Sequence, residues 1–340
     1  MPPAKKPSAP LGRGLDIGTM NLVSARRNEA GEIVTARMRD AFLDLGQDAK
    51  RMLKLSGVDF IDRDEDGIIV VGDAALDMAN VFGREARRPL SAGLISAGEM
   101  DALDVLGVMI KSILGDPAKA GEVCYYSVPA APVDEDRDIV YHKGVFERIV
   151  SECGYKAVAG NEAMAIIYAE TARDGFSGLS LSFGSGMVNA ALAVSGVEGM
   201  TFAIARSGDW IDAGAAKAVG ATQSRMCAVK EKGLDLTAPE GRDQEALALY
   251  YRSLIEYALD QVAKEFIKVK DRFALPRPIP IVVSGGTSLA GNFLPFFEQT
   301  FEAHRKKFPI EISEIRQASD PLNAVARGLL IQAMQECDDD

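Results

Sequence analysis

The sequence predicts an α/β fold built from two like halves with a cleft between them, and an internal repeat carries the prediction. The chain opens on a short apolar strand that ends in a glycine turn, Gly14-Leu15-Asp16-Ile17-Gly18-Thr19-Met20-Asn21. The same plan returns at Leu179-Ser180-Leu181-Ser182-Phe183-Gly184-Ser185-Gly186. Two further strand-like runs follow each turn: Leu22 to Arg26 and Glu32 to Arg37 in the first copy, Val188 to Val194 and Thr201 to Ala205 in the second. A unit that occurs twice in one chain implies two related domains. Strands then alternate with helices, while each half begins with antiparallel hairpins, so a mixed five-stranded sheet is expected at the base of each domain.

Glycine in such a turn lets backbone N–H groups approach an anion, because no Cβ stands in the way. A carboxylate at the strand end, Asp16, is placed to hold a hydrated metal beside that anion. Two such hairpins facing each other would grip a polyphosphate from both sides.

Composition narrows the classes. With 340 residues, 47% of them hydrophobic, the chain can bury a large core, most simply as two domains. A formal net charge of −11 argues against nucleic acid as a direct partner. No apolar run reaches the ~18–20 residues needed to span a membrane. Met1 to Pro10 has lysines and prolines without an apolar core, so it reads as a disordered tail rather than a secretory signal or a membrane-binding helix. A cytoplasmic protein without direct membrane insertion is expected. Cys124, Cys153, Cys227 and Cys337 lack metal-ligand spacing and read as reduced thiols. His142 and His304 read as lying in polar helical surroundings, so chemistry on a histidine base is not expected.

Taken in order, Ala41 to Gly57 reads as helical, and Asp59 to Val71 as a strand pair around the acidic turn Asp62 to Gly67. That turn lacks the Glu that a calcium loop needs at its twelfth position, where Asp73 stands, so it reads as solvated. Gly72 to Gly83 reads as a short helix and Arg84 to Gly93 as a basic loop. Apolar residues at helical spacing mark Glu99 to Leu114 and Asp134 to Gly154, with a core strand at Val123 to Val128 between them. Lys156 to Ala159 is a strand, Gly160-Asn161 a turn and Glu162 to Thr171 a helix. Helices are expected at Asp209 to Gly220, Gln223 to Lys232 and Asp243 to Phe273, where the aromatic residues read as core. A buried strand at Pro278 to Ser284, a helix from Leu289, a strand at Ile310 to Ile315 and a helix at Pro321 to Met334 complete the chain, with Asp338 to Asp340 a solvated tail.

These motifs resemble, in order, those of the actin, heat-shock chaperone and sugar-kinase superfamily of ATPases, and within it the bacterial actin-like proteins of the MreB and MamK type. Asp16-Ile17-Gly18-Thr19 and Leu181 to Gly186 are similar to its two phosphate loops. Asn161 to Ala165 is similar to its first connecting segment. Gly208-Asp209-Trp210-Ile211-Asp212, Ala228-Val229-Lys230-Glu231 and Val282 to Ser288 resemble the later elements around ribose and adenine. Asp320 to Gly328 resembles the closing helix, and Val71 to Ala75 with Arg88-Pro89-Leu90 the small subdomain. The resemblance covers about 11–334. It implies a two-domain actin-like ATPase fold: duplicated β-β-β-α-β-α units, a nucleotide cleft between the domains and small inserted subdomains. The expected division is a tail at 1–10, domain I at 11–157 with a subdomain at about 36–93 and the closing helix 319–336, and domain II at 158–318 with a subdomain at about 213–260.

The resemblance also implies roles. Asp16 would orient Mg²⁺ through water. Gly18, Thr19, Met20 and Asn21 would face the phosphates of ATP or ADP from one wall, and Gly184, Ser185, Gly186 and Met187 from the other. Gly208, Asp209 and Glu231 would lie near the nucleoside, and Gly285, Gly286, Thr287 and Ser288 would form the adenosine loop. Lys230 is either the cation near the nucleoside or a solvated helix lysine. Glu162 either positions the attacking water as a catalytic group alongside Asp16 or, at a helix start, serves the helix dipole. Ser182 and Met187-Val188 depart from the family, whose second loop begins with Asp, and slower hydrolysis is expected because a hydroxyl lacks the charge of a carboxylate.

The implied function is a cytoplasmic ATPase that polymerises head to tail with itself, with adaptor or cargo proteins as further partners. The alternatives are a non-polymerising chaperone-like ATPase and, in another class, a small-molecule kinase, for which no catalytic Asp stands out. A membrane-tethering relative would need an amphipathic end helix, and neither terminus offers one.

Overall fold

The computed structural model describes residues 11–338 apart from 273, 274, 276 and 277. The expected tail at Met1 to Pro10, the end of the helix expected to reach Phe273, and the last two residues of the acidic tail lie outside the described residues. Strands β1 (Arg13–Ile17), β2 (Asn21–Arg27) and β3 (Ile33–Arg39) form an antiparallel unit. An insert follows, with β4 (Phe42–Leu45), α1 (Lys50–Leu55), β5 (Ile61–Asp62), β6 (Ile68–Val71), α2 (Asp73–Phe82) and the hairpin β7 (Leu90–Ser91) to β8 (Leu94–Ile95). Next come α3 (Leu103–Leu114), β9 (Val123–Val128), α4 (Val140–Glu152), β10 (Lys156–Asn161) and α5 (Glu162–Glu170). The plan then repeats with β11 (Gly178–Phe183), β12 (Val188–Val194) and β13 (Val197–Ile204), followed by α6 (Gly208–Val219), α7 (Gln223–Glu231) and α8 (Gly241–Val269). Last are β14 (Ile279–Ser284), α9 (Phe293–His304), β15 (Ile312–Gln317) and α10 (Ala324–Asp338).

The two five-stranded sheets have the same topology, β10-β9-β1-β2-β3 and β13-β12-β11-β14-β15. In each, the glycine-turn strand is central, antiparallel to its hairpin partner and parallel to the strand on its other side. Helices cover both sheets. The second sheet builds the larger core, in which Phe183, Phe293 and Phe297 meet edge to face or tilted. The small sheet β4-β6-β5 has its own core, with Leu43, Leu53 and Val70 fully buried.

Helices α5 and α10 pack against each other, α5 also on β11 and β12 and α10 on β1 and β9. Two glycines permit this closeness. A Cβ on Gly14 would overlap the Ala326 carbonyl oxygen, and one on Gly328 the Ala165 carbonyl oxygen. Asn161 caps α5 by accepting from the backbone N–H groups of Ala163 and Met164, each at 3.0 Å, which places Glu162 at the first helical position.

Several local expectations are corrected. The stretch Ala41 to Gly57 is not one helix: Phe42–Leu45 is drawn into a sheet by pairing with Ile68–Val71, and only Lys50–Leu55 is α-helical. Such pairing overrides weak local preference. The helix expected from Asp134 starts at Val140, because residues 130–134 run extended along β13, with Val133 N–H donating to Ala203 O at 2.9 Å. The α-helix expected from Glu99 starts at Leu103, and the loop Arg84 to Gly93 contains β7. The helix expected from Leu289 starts at Phe293, because Ala290 is extended and Asn292 has a positive φ of 57°. His142 is buried rather than in polar surroundings. It stacks edge-on against Phe146 and accepts from Ile95 N–H through Nδ1, and burial lowers its pKa to about 4.

Candidate active site

The carboxyl ends of β1 and β11 face each other across a cavity of about 650 Å³, counting space open to solvent. Asp16, Gly18, Thr19, Met20, Asn21 and Glu162 line one side, and Ser182, Gly184, Ser185, Gly186 and Met187 the other, with Gly285 and Gly286 at the rim. A second cavity of about 1050 Å³ adjoins it through Met20, Asn21, Ser185 and Gly286, and is lined further by Asp209, Asp212, Lys230, Glu231 and Thr287. The residues singled out in the sequence are therefore brought together, with two exceptions. Gly208 acts beneath the wall, its N–H donating to Gly184 O at 3.0 Å. Ser288 is buried, its hydroxyl turned back to Gly285 O at 2.7 Å.

Each wall is held by local geometry. The hairpin after β11 closes with Gly184 N–H donating to Met187 O at 3.0 Å, and the start of α6 ties to it through Asp209 N–H to Ser185 O at 2.9 Å. Thr287 Oγ1 donates to Gly184 O at 3.0 Å, and Gly285, at φ 90°, donates to Pro321 O at 3.1 Å. Gly186 must lack a side chain, since a Cβ there would overlap the Gly93 nitrogen and the Thr19 hydroxyl. Gly93, at the turn between β7 and β8, donates to Thr19 Oγ1 at 3.0 Å and so reaches between the two walls.

Two half-buried carboxyl groups sit in the first cavity. Burial pushes Asp16 up to about 6, opposed by its hydrogen bond with Ser127. Burial, and then the charge of Asp16, push Glu162 up to about 8. Asn189 Nδ2 donates to Glu162 Oε2 at 2.8 Å. Such groups suit a hydrated Mg²⁺ shared with phosphate oxygens, because that ion asks for one or two carboxylates rather than a full protein cage. A carboxyl pair whose ionisation is opposed gains from a divalent cation beside it.

In the second cavity Lys230 is not a solvated lysine. Its Nζ pairs with the buried Asp212 at 2.6 Å and reaches Gly208 O at 3.3 Å. Burial raises Asp212 and the Lys230 charge opposes that rise. Replacing Lys230 by Ala is expected to destabilise the protein by about 3 kcal/mol, because it strands a buried carboxylate. Denaturant unfolding checks this, and the Lys230→Ala, Asp212→Ala double variant should recover much of the loss.

Sequence reasoning missed four contributors. Arg39 Nη2 meets Glu231 at 3.4 Å and Arg88 Nη1 meets Asp209 at 3.3 Å, each joining the first sheet or its insert to helices of the second half. Nothing local signals these pairs, since their partners lie more than a hundred residues away. Gly93 is in the same position. Asn189 did have a signal: it is the one polar residue in Val188 to Val194, and it lies directly opposite Ser182 in the hairpin.

The fold has known counterparts. The MamK double helical filament aligns with 95% of this chain and 98% of that one at a TM-score of 0.69 and 18% identity. MreB5 of Spiroplasma citri, bound to ADP in one structure and to AMPPNP in another, aligns at a TM-score of 0.64 and 17% identity in both, over 96% and 98% of this chain and 97% and 99% of that one. The ethanolamine utilization protein EutJ from Carboxydothermus hydrogenoformans aligns at 0.56 and 14% identity, over 96% of this chain and 91% of that one. These likenesses show an actin-like fold of the MamK and MreB type. Compared with curated protein sequences, the chain has no match. The family model described as Volactin matches residues 11–333, nearly the whole chain with both glycine turns, Glu162 and most of the closing helix inside the match, and the chain therefore belongs to the Volactin family.

Proposed function

We propose that the chain is a nucleotide-dependent actin-like cytoskeletal protein that binds and hydrolyses ATP with Mg²⁺ and assembles head to tail into cytoplasmic filaments. The observation that carries this reading is the pair of like glycine turns facing each other across one cavity, with Asp16 and Glu162 half-buried between them and both pKa values raised. Further support comes from the fold shared with the MamK filament and with MreB5 bound to ADP or AMPPNP. Among the described residues no helix is long and apolar enough to cross a membrane.

The first cavity takes the phosphates on the backbone of 18–21 and 184–187, and the second takes the nucleoside beside Lys230, Glu231 and the loop 285–288. Mg²⁺, held by Asp16 through water, would neutralise charge on the phosphates. Glu162 orients the attacking water. The reading divides the chain into domain I at 11–157 with 319–336 and domain II at 158–318, with inserts at about 36–93 and about 213–260. A heterologous contact whose rotation does not close produces an open filament, so a head-to-tail contact suffices for assembly.

High-speed sedimentation with electron microscopy of the pellet, under Mg-ATP, Mg-ADP and no nucleotide, tests the assembly. Filaments are expected with ATP and fewer with ADP. A protein that binds ATP and stays in the supernatant at every concentration would instead be a non-polymerising ATPase. Phosphate release tests the chemistry. Ser182 is buried in the same cavity as Asp16 and Glu162, and Ser182→Asp is expected to raise the release rate about tenfold at unchanged nucleotide affinity. An unchanged rate at constant affinity would show that the neutral side chain is not what slows the step.

A further inference from the structure

The site contains a neutral pair, and one of its members, Ser182, stands where the resembling family carries Asp. Ser182 and Asn189 face each other across the β11–β12 hairpin, both buried, and both line the cavity that holds Asp16 and Glu162. Asn189 is held at both ends of its amide. Its Oδ1 accepts from Ala130 N–H at 3.1 Å, and its Nδ2 donates to Glu162 Oε2 at 2.8 Å. The orientation of the amide follows from the partners: a backbone N–H can only donate, so the oxygen must face Ala130 and the NH₂ group must face the carboxyl. An apolar residue of similar size would leave the buried Ala130 N–H without a partner and take the amide's bond from the Glu162 oxygen.

Ala130 is also part of something larger. Residues 130–134 leave β9 of the first sheet and run along β13 of the second. Ala203 N–H donates to Ala131 O at 3.2 Å, Val133 N–H to Ala203 O at 2.9 Å, and Ala205 N–H to Asp134 Oδ1 at 2.8 Å. The Asn189 amide thus lies between Glu162 and the segment that joins the two sheets.

We propose that Asn189 is a positioning residue for ATP hydrolysis: it holds one oxygen of Glu162 so that the other faces the attacking water, and it ties that orientation to the segment joining the two sheets. This rests on the ATPase reading above. In the step it serves, the water oxygen bonds to the γ-phosphorus as the bond from that phosphorus to the β–γ bridging oxygen breaks. ADP leaves with that electron pair, and a water proton passes to the free Glu162 oxygen before going on to phosphate or solvent. A carboxylate oxygen is a stronger acceptor than a neutral carboxyl oxygen, so the amide's bond also favours the ionised Glu162 that can accept this proton.

Asn189→Asp keeps an acceptor for Ala130 N–H, removes the donor to Glu162 and sets a third carboxylate beside it. Asn189→Leu removes both bonds at similar volume and serves if the acidic variant does not fold. Phosphate release and the affinity for a fluorescent ATP analogue are measured for the full-length protein and both variants from about pH 6 to about pH 9. The expected result is a fall in kcat of about tenfold or more with affinity within about twofold, and a rate profile displaced to higher pH, further for Asp than for Leu. A merely structural Asn189 would lower the rate equally at every pH, or would lower affinity and rate together. Either result, or unchanged rates, overturns the proposal. Wild-type protein that binds the analogue but releases no phosphate overturns the ATPase reading and this inference with it, whereas active wild type beside unaltered variants overturns the inference alone.

Discussion

Replacing Glu162 by Gln is expected to reduce phosphate release by about 10²–10³-fold while ATP binds as tightly as before. The substitution preserves shape and an oxygen for the Asn189 amide to bond, but it removes the group that takes a proton from water. Binding should survive because, on the proposed reading, the phosphates lie on the backbone of 18–21 and 184–187, which line the cavity and which the change does not touch. A second readout separates this from simple damage. Glu162 has a folded pKa of about 8 against an ordinary value of 4.5, so folding favours its protonated form. Its contribution to stability is fully present below about pH 4.5 and is lost as pH rises toward about 8, when the unfolded chain releases the proton that the fold retains. Asp16, raised from 3.8 to about 6, acts in the same direction over a lower window. Gln has no proton to lose. In the absence of nucleotide the variant should therefore gain stability on the wild type as pH rises, by an amount on the order of a few kcal/mol near pH 8. Thermal unfolding near pH 5 and near pH 8, beside phosphate release under Mg-ATP, checks both halves. A variant that hydrolyses ATP at the wild-type rate would remove Glu162 from the chemistry.

Gly328→Ala is the largest stability effect expected. Gly328 lies on α10 where that helix crosses α5, and an added Cβ would overlap the carbonyl oxygen and carbon of Ala165. Backbone cannot swing aside as a side chain does, so the helices must separate, at a cost of about 3 kcal/mol or more. The loss should reach the site as well. The turn that leads into α10 supplies Pro321 O, which accepts from both Gly285 N–H and Ser284 Oγ, and Leu322 and Val325 line the first cavity. Nucleotide affinity should fall with stability. Gly107→Ala on α3 is the matched control: its Cβ would meet nothing within 4 Å, so the same substitution should be neutral or stabilise by about 0.5–1 kcal/mol. The denaturant midpoint should fall for Gly328→Ala and should hold or rise for Gly107→Ala. Equal shifts would mean that the α5–α10 contact yields more easily than its geometry indicates.

The parts of the site legible in the sequence are those whose chemistry is written in a few consecutive residues. Strand, glycine turn and returning strand lie within 13–27 around Asp16 and again within 178–194 around Ser182, and each hairpin forms largely from its own pattern. Asn161-Glu162 reads as a helix start because a cap and its first turn are adjacent. The insert was harder. Phe42–Leu45 carries no periodicity that separates strand from helix, and only its pairing with Ile68–Val71 decides. Asn189 was visible as a polar residue in an apolar strand, but its meaning depended on Glu162 arriving from another element.

By itself, the sequence determined that this protein repeats one β-unit twice, ends each central strand in a glycine turn, and places a carboxylate at the first turn and none at the second. Those features are local, set by residue type and short spacing. Only the tertiary structure decided that Asp16 and Glu162 share one cavity in which burial raises both their pKa values, that Asn189 bonds to Glu162, and that Arg39 and Arg88 reach partners in the second half. The physical reason is the same in each case. A carboxyl group's ionisation and a side chain's partner depend on what other segments bring within a few ångströms, and burial strengthens those interactions beyond anything the neighbouring residues in the chain can set.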